Sequence, residues 1–128
     1  MIRAIALALT MLAGALLGAA GIDKLYAHGK PLRAYAVIEI DEVMDRRVLR
    51  DVLGKTSSVA ERFGGRTITQ AGSITGRDMV PPNQVVLIAF DSIDDAQAWS
   101  TSSAEAELDQ ARDRAAKTRS FLVDDLRK

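Results

Sequence analysis

The sequence predicts one α+β domain over residues 33–128. Three features indicate it: four short segments rich in β-branched and aromatic residues, two segments with apolar residues at steps of three and four, and Gly- and Pro-containing stretches between them. The segments alternate as strand, helix, strand, strand, helix, strand. This order is the split βαβ, or ferredoxin-like, pattern, in which four antiparallel strands form one sheet with two helices on one face.

The segment before the domain, residues 1–27, has the order of an export signal. Arg3 supplies a positive charge, residues 4–21 are small and almost entirely apolar, and Ala27 is a small exit residue. We expect cleavage after Ala27; cleavage after Ala20 and an uncleaved anchor through residues 4–21 are the alternatives. The protein is therefore expected to be periplasmic or secreted, or membrane-anchored if the leader stays.

Charge and cysteine content exclude several classes of function. The chain has 17 basic and 17 acidic residues, of which 15 and 16 remain once the leader is removed. This balance gives no extended positive field, so nucleic acid is not an expected partner. The sequence has no cysteine, which excludes thiol catalysis, disulfides and cysteine-ligated metals.

The first strand is predicted over residues 35–40, after a polar linker at residues 28–32. Successive side chains of a strand point to opposite faces of the sheet. One face therefore carries Ala36, Ile38 and Ile40, and the other carries Tyr35, Val37 and Glu39.

A helix of about four turns is predicted next. Asp45 is its expected N-cap, apolar residues recur from Val48 to Phe63, and Gly64 is suited to the left-handed position that ends a helix. Its solvent side is expected to carry the charged residues Arg46, Arg47, Arg50, Asp51, Lys55 and Glu61.

Two strands follow, at residues 66–70 and 84–90. The long connection between them contains Pro81 and Pro82, which cannot both lie in a central ladder. The second of these strands is apolar nearly throughout, as expected for a strand covered on both faces.

The last helical region has two predicted starts. Ser92 with Asp95 resembles a capping box, and Ser102 with Glu105 can cap a new helix. The charges between Glu105 and Arg119 are expected on a solvated helix face, and the final strand is predicted over residues 119–123. The apolar stripe of the new helix is Ala104, Leu108, Ala111 and Ala115.

The sheet face away from the helices is predicted to be uncovered. It would show Tyr35, Val37, Arg66, Ile68 and one side of the third strand. Because so much apolar surface needs a cover, a second copy of the chain is the simplest partner, and we expect a homodimer.

Four stretches carry a resemblance to a known family. They are AYAVIEI (34–40), ERFGGR (61–66), VVLIAFDSIDDAQAW (85–99) and RSFLVDDL (119–126). Together they resemble the domain-of-unknown-function family numbered 1330, in the dimeric α+β barrel superfamily, and the leader is similar to that of exported members. The resemblance implies a ferredoxin-like unit that pairs sheet to sheet, and no agreed activity.

Five residues of the domain are candidates for a site. Glu39, in or near the expected dimer interface, is the candidate catalytic group, because a carboxylate there is suited to proton transfer; the alternative is a salt bridge to Arg66 or Arg119. Tyr35, Arg66, Trp99 and Arg119 are the candidate ligand-binding residues. For Trp99 we expect a packing role between helix and sheet, with the indole N–H on a polar partner.

No cofactor and no metal are predicted. His28 is the only histidine and lies beside the expected cleavage point. The acids Asp91, Asp94 and Asp95 lack the spacing of a calcium loop and are expected at a helix start because of the helix dipole.

The residues favour two functions. The first is an exported homodimeric module without dedicated catalysis, which holds a small apolar molecule between sheet and helices. The second is a cofactor-independent enzyme of the oxygenase, isomerase or decarboxylase type, acting on a small organic acid or phenolic compound, with Glu39 as base and Tyr35 or Arg66 orienting the substrate. The resemblance leaves the choice open, since related barrels include cofactor-independent oxygenases, decarboxylating or dehalogenating enzymes and small-ligand binders. An anchored partner protein with an uncut leader is the third possibility.

Overall fold

The computed structural model describes residues 34–126. Its strands are β1 (Ala34–Val43), β2 (Arg66–Ala71), β3 (Gln84–Phe90) and β4 (Ala116–Asp124), and its helices are α1 (Arg46–Arg62), α2 (Ile93–Ser100) and α3 (Ser103–Ala115). The strands form one antiparallel sheet in the order β2-β3-β1-β4. This arrangement confirms the predicted ferredoxin-like α+β fold. The region predicted as the second helix is divided into α2 and α3, so the described sheet has three helices rather than two.

The core lies between the helices and one face of the sheet. Alternate residues of β1, namely Ala36, Ile38 and Ile40, are almost completely buried there, as the strand pattern predicts. The facing side chains from β3 and the helices include Val86, Ile88, Phe90, Leu49, Leu53 and Trp99.

The ends of α1 follow from local chemistry. The side chain of Asp45 accepts a hydrogen bond of 3.0 Å from the backbone N–H of Val48, so the predicted N-cap is confirmed. Gly64 has a φ of 79°, the left-handed conformation that ends helices. The prediction that Val48 belongs to the buried stripe is wrong: it is 42% exposed, because it lies on the side of α1 that carries the exposed Asp51 and Lys55.

The two later helices begin as predicted. The side chain of Ser92 accepts from the N–H of Asp95 at 3.1 Å, and that of Ser102 accepts from the N–H of Glu105 at 3.2 Å. The last strand begins at Ala116, three residues before the predicted start at Arg119, because α3 passes into β4 without a loop.

A buried ion pair in α3 corrects the prediction of a solvated face between Glu105 and Arg119. Arg112 is 1% exposed and Glu105 is 4% exposed, and their side chains form a salt bridge. The guanidinium of Arg112 also donates to the Thr56 hydroxyl of α1 at 2.7 Å and to the half-exposed Asp109 at 3.2 Å. The network therefore joins α3 to α1. Burial raises the pKa of the Glu105 carboxyl above its usual value, against the lowering effect of Arg112.

The expectations for the leader, the linker and His28 lie outside the described residues. Among residues 34–126, none of the helices is long and apolar enough to cross a membrane.

Candidate functional site

One face of the sheet has no helix on it, and strand register defines its residues. Across the sheet, Tyr35 lies between Ala89 and Val123, Val37 lies between Leu87 and Phe121, and Glu39 lies between Val85 and Arg119. A β-bulge in β2, between Thr67 and Thr69, adds Ile68. We call this surface the open face.

The open face is largely apolar. Phe121 is 44% exposed and Ile68 is 49% exposed, and Val37 and Leu87 between them are only partly buried. Single exposed apolar residues are ordinary on a protein surface, but a contiguous set on a flat sheet marks an interaction site. The open face is therefore a surface suited to a partner.

The ion pair between Glu39 and Arg119 is the main polar feature of the open face. The Arg119 Nε donates to Glu39 Oε2 at 2.8 Å, and a second guanidinium nitrogen donates to the same oxygen. Glu39 is 15% exposed at its side chain, whereas Arg119 is 67% exposed. Of the two salt-bridge partners that the sequence proposes for Glu39, the structure selects Arg119, its direct neighbour across the β1–β4 ladder.

A shallow cavity of about 440 Å³ adjoins this ion pair. It lies between the start of β4 and the loop at residues 72–83, whose Met79 and Val80 are well exposed. The Glu39 carboxylate thus borders a space that can hold a small molecule, which is the geometric requirement for a proton-transfer role.

Tyr35 and Arg66 lie farther along the open face. Both residues are paired with Ala89 of β3, so they lie in the same row of the sheet. Tyr35 is four residues along β1 from Glu39, which places the two rows about 13 Å apart. The Arg66 guanidinium pairs loosely with Asp91, at 3.9 Å, and both side chains are about half exposed. Tyr35 and Arg66 therefore lie in one row of the open face, away from the row of Glu39.

Trp99 lies on the other side of the sheet from these residues. It is 3% exposed and packs against Phe90, with ring centroids 5.7 Å apart. These contacts show the predicted packing role. The prediction that the indole N–H has a polar partner is wrong, because Trp99 Nε1 is buried and donates a hydrogen bond to no atom of the described residues. The predicted site residues therefore do not form one cluster.

A second cavity, which the sequence analysis did not identify, lies on the helical side of the sheet. It measures about 380 Å³ and opens between the first turns of α1 and the ends of three strands. Its lining consists of Val43, Arg46, Leu49, Arg50, Leu53, Gln70, Gly72, Asn83 and Gln84. We call it the arginine cleft.

The charges at the start of α1 are the signal that points to this cleft. Three of its first five residues are Arg46, Arg47 and Arg50, and the first turn has no acidic residue. The helix dipole favours acids at this end, so the arrangement opposes helix stability. The sequence pattern alone places these arginines on the solvent side; the strand ends that form the other wall of the cleft come from distant parts of the chain.

The described residues contain no group of three or more His, Asp or Glu side chains suited to a metal ion. The three acids near α2 have structural surroundings: Asp94 and Asp95 are in its first turn, and Asp91 faces Arg66.

Solved structures with similar folds have low sequence identity to this chain. A protein of unknown function from Rhodopseudomonas palustris matches with a TM-score of 0.52 and 12% identity, covering 83% of this chain and 94% of that one. SnoaB, a cofactor-independent oxygenase from Streptomyces nogalater, matches with a TM-score of 0.51 and 14% identity, covering 75% and 96%. These similarities concern the fold.

Sequence comparison identifies a family for this chain. No curated protein matches the chain. The family model described as "Domain of unknown function (DUF1330)" matches residues 33–126, which is most of the chain, and the protein therefore belongs to this family.

Proposed function

We propose that the protein is an exported homodimeric module that binds a small molecule between the sheet and α1. The observation that carries the proposal is the open face: a flat apolar surface in a domain whose other sheet face is covered by its own helices. A second copy is the expected cover, because a sheet face can pair with itself about a two-fold axis.

The energetics of the open face favour pairing. Burying one large apolar side chain such as Phe121 contributes about 1.5–3 kcal/mol, and each copy offers Phe121, Ile68, Val37 and Leu87. The Glu39–Arg119 pair neutralises the main charges at this position, so pairing does not bury an isolated ion. The expected dimer would place the 440 Å³ cavity beside the partner copy.

The ligand of this module is proposed to occupy the arginine cleft. The cleft has an apolar floor, to which Leu49 and Leu53 contribute, and a polar rim that includes Gln70 and Gln84. Small-molecule sites commonly combine an apolar lining with a few polar groups. Titration with hexan-1-ol, followed by methyl NMR of the two leucines, should give saturable shifts; shifts confined to the open face would refute this location.

Homodimerisation is tested by a charge on the open face. Phe121→Asp should convert the dimer to folded monomers, because two carboxylates would face apolar surface in the interface. Val48→Asp is the matched control, since Val48 has a similar exposure of 42% but lies on α1. An unchanged dimer in the Phe121 variant would contradict pairing through this face.

A catalytic role is the second candidate, and the cavity beside Glu39 is the observation that favours it. A cofactor-independent reaction on a small organic acid or phenolic compound would use the Glu39 carboxylate as base, with Arg119 fixing its orientation. Glu39→Gln separates the two functions. Lost turnover of a phenolic substrate with retained stability would indicate catalysis, whereas increased stability without any turnover in either protein would contradict it.

Export remains a proposal that rests on the order of residues 1–27. The intact mass of the protein from its native host tests it. A chain beginning at His28 or Gly21 is expected for a cleaved signal, and a mass that includes Met1 would indicate the anchored alternative.

A further inference from the structure

We propose that the arginine cleft binds a small carboxylic acid with an apolar body. The carboxylate would lie between the guanidinium groups of Arg46 and Arg50, and the body would lie over Leu49 and Leu53. This inference rests on the proposed small-molecule function and names its ligand class.

The two arginines have no partner of their own in the described part of the chain. Neither Arg46 nor Arg50 forms an ion pair with residues 34–126, and both residues are exposed and line the cleft. In contrast, Arg66, Arg112 and Arg119 each have a carboxylate within 4.0 Å. The cleft therefore presents two cations without an anion.

This arrangement is unfavourable for the helix itself. Arg46 and Arg50 are four residues apart, which places them on the same side of α1 and makes them repel each other. They also occupy the helix end at which the dipole disfavours cations. A bound carboxylate would relieve both effects, and local conflicts of this kind concentrate at functional sites.

The rest of the lining adds no charge of either sign. The other polar residues, Gln70, Asn83 and Gln84, are neutral amides, and no carboxylate lines the cleft among the described residues. The Asn83 side-chain amide donates to the backbone carbonyl of Asp41, which ties the start of β3 to the end of β1. Arginine pairs with carboxylates through two parallel hydrogen bonds, which gives specificity as well as attraction.

The apolar floor distinguishes a carboxylic acid from an inorganic anion. Leu49 and Leu53 are buried core residues whose side chains also border the cleft, and the partly exposed Val43 extends this surface. A phosphate or sulfate would leave this surface uncovered. With about 380 Å³ available, the cleft is at the lower end of the size range of small-ligand sites, which suits a body of a few carbon atoms or one ring.

The test compares two probes of the same length, hexanoate and hexan-1-ol, on the purified full protein. Isothermal titration calorimetry and methyl NMR of Leu49 and Leu53 should show hexanoate binding at least about tenfold more tightly than the alcohol. Arg50→Gln should weaken hexanoate binding about tenfold or more and leave hexan-1-ol within about twofold, because only the carboxylate uses the charge. Inorganic phosphate should bind more weakly than hexanoate.

Arg47→Gln is the matched control. It removes the same charge from the same helix turn, but Arg47 does not line the cleft. Hexanoate binding should stay within about twofold of the wild type, which excludes a general effect of net charge. Equal weakening by the Arg47 and Arg50 variants would overturn the proposal.

The outcomes separate this inference from the function on which it rests. Equal affinity for hexanoate and hexan-1-ol, both unaffected by Arg50→Gln, would overturn the carboxylate assignment and leave an apolar-ligand module in place. No saturable binding of either probe at the cleft would refute the small-molecule function itself. Tighter binding of phosphate than of hexanoate would also overturn the assignment, in favour of a simple anion site.

Discussion

Replacing Arg112 by methionine is expected to destabilise the domain strongly. The substitution keeps the length of the buried stem and removes the guanidinium that serves Glu105 and Thr56. Glu105 Oε1 then loses its partner, and Glu105 Oε2 already has none among the described residues. The variant would therefore bury a carboxylate, 4% exposed, without any compensating charge.

The expected magnitude follows from that geometry. Removing one partner of a buried ion pair costs about 3–5 kcal/mol, whereas Thr56 retains its 2.9 Å hydrogen bond to the Val52 carbonyl and loses little. Asp109 is about half exposed at its side chain and can turn to water. A loss of this size is a large part of the roughly 5–15 kcal/mol that stabilises a domain of this length.

Urea unfolding, followed by circular dichroism at one fixed protein concentration, measures this loss. The control is the double variant Arg112→Met with Glu105→Leu, which removes both charges. Its stability should return to within about 1 kcal/mol of the wild type, because an apolar replacement of a buried pair is often neutral. A cost below about 1 kcal/mol for the single variant, or no recovery in the double variant, would refute the reasoning.

Three further predictions concern stability. Burial raises the folded-state pKa of the Glu105 carboxyl above its ordinary value of 4.5, so ionisation of this group opposes folding. The penalty should fade as the pH drops toward 4.5. The stability of the wild type relative to Glu105→Gln should therefore rise between pH 7 and about 4.5 in urea titrations; a constant difference would contradict the raised pKa. Gly65→Ala should lower the free energy of unfolding by about 1–3 kcal/mol, because the added Cβ would lie 2.7 Å from the Phe90 ring. Gly54→Ala should raise it by about 0.5–1 kcal/mol, because Gly54 has open space around it and alanine favours the helix. Equal thermal shifts for the two alanine variants would count against this packing. Trp99→Phe removes a buried N–H that lacks a partner among the described residues and keeps an aromatic ring, so it should change stability by less than about 1 kcal/mol; a larger loss would show that the lost indole packing outweighs the removal of the unpaired N–H.

Local patterns predicted the framework of this fold well. The alternation in β1, the cap at Asp45 and the glycine stop at Gly64 depend on residues close in sequence, and the structure has all three. The capping serines Ser92 and Ser102 are further examples. Each motif satisfies backbone groups within one turn, so no information about distant contacts is needed.

The buried ion pair could not be predicted in the same way. Glu105 and Arg112 lie on one side of α3, where charges normally indicate solvent, but α1 packs against them and supplies Thr56. The contact joins residues 56 positions apart. Only the packing of the two helices decides whether such long side chains reach water or each other.

The candidate site was predicted only where its contacts follow from strand pairing. The partners of Glu39 were predictable because strand pairing limited them to two arginines, and Arg119 is the one that lies opposite. The arginine cleft was not, because its lining comes from α1 and from three separate strand ends. The unusual excess of arginine at the start of α1 was the one signal available in the sequence.

Sedimentation velocity of the purified protein between about 1 and 100 μM tests most directly whether the apolar side of the sheet is hidden by a second copy. One dominant species with twice the mass of a single chain is expected across most of this range. A folded species with the mass of one chain at every concentration would contradict it.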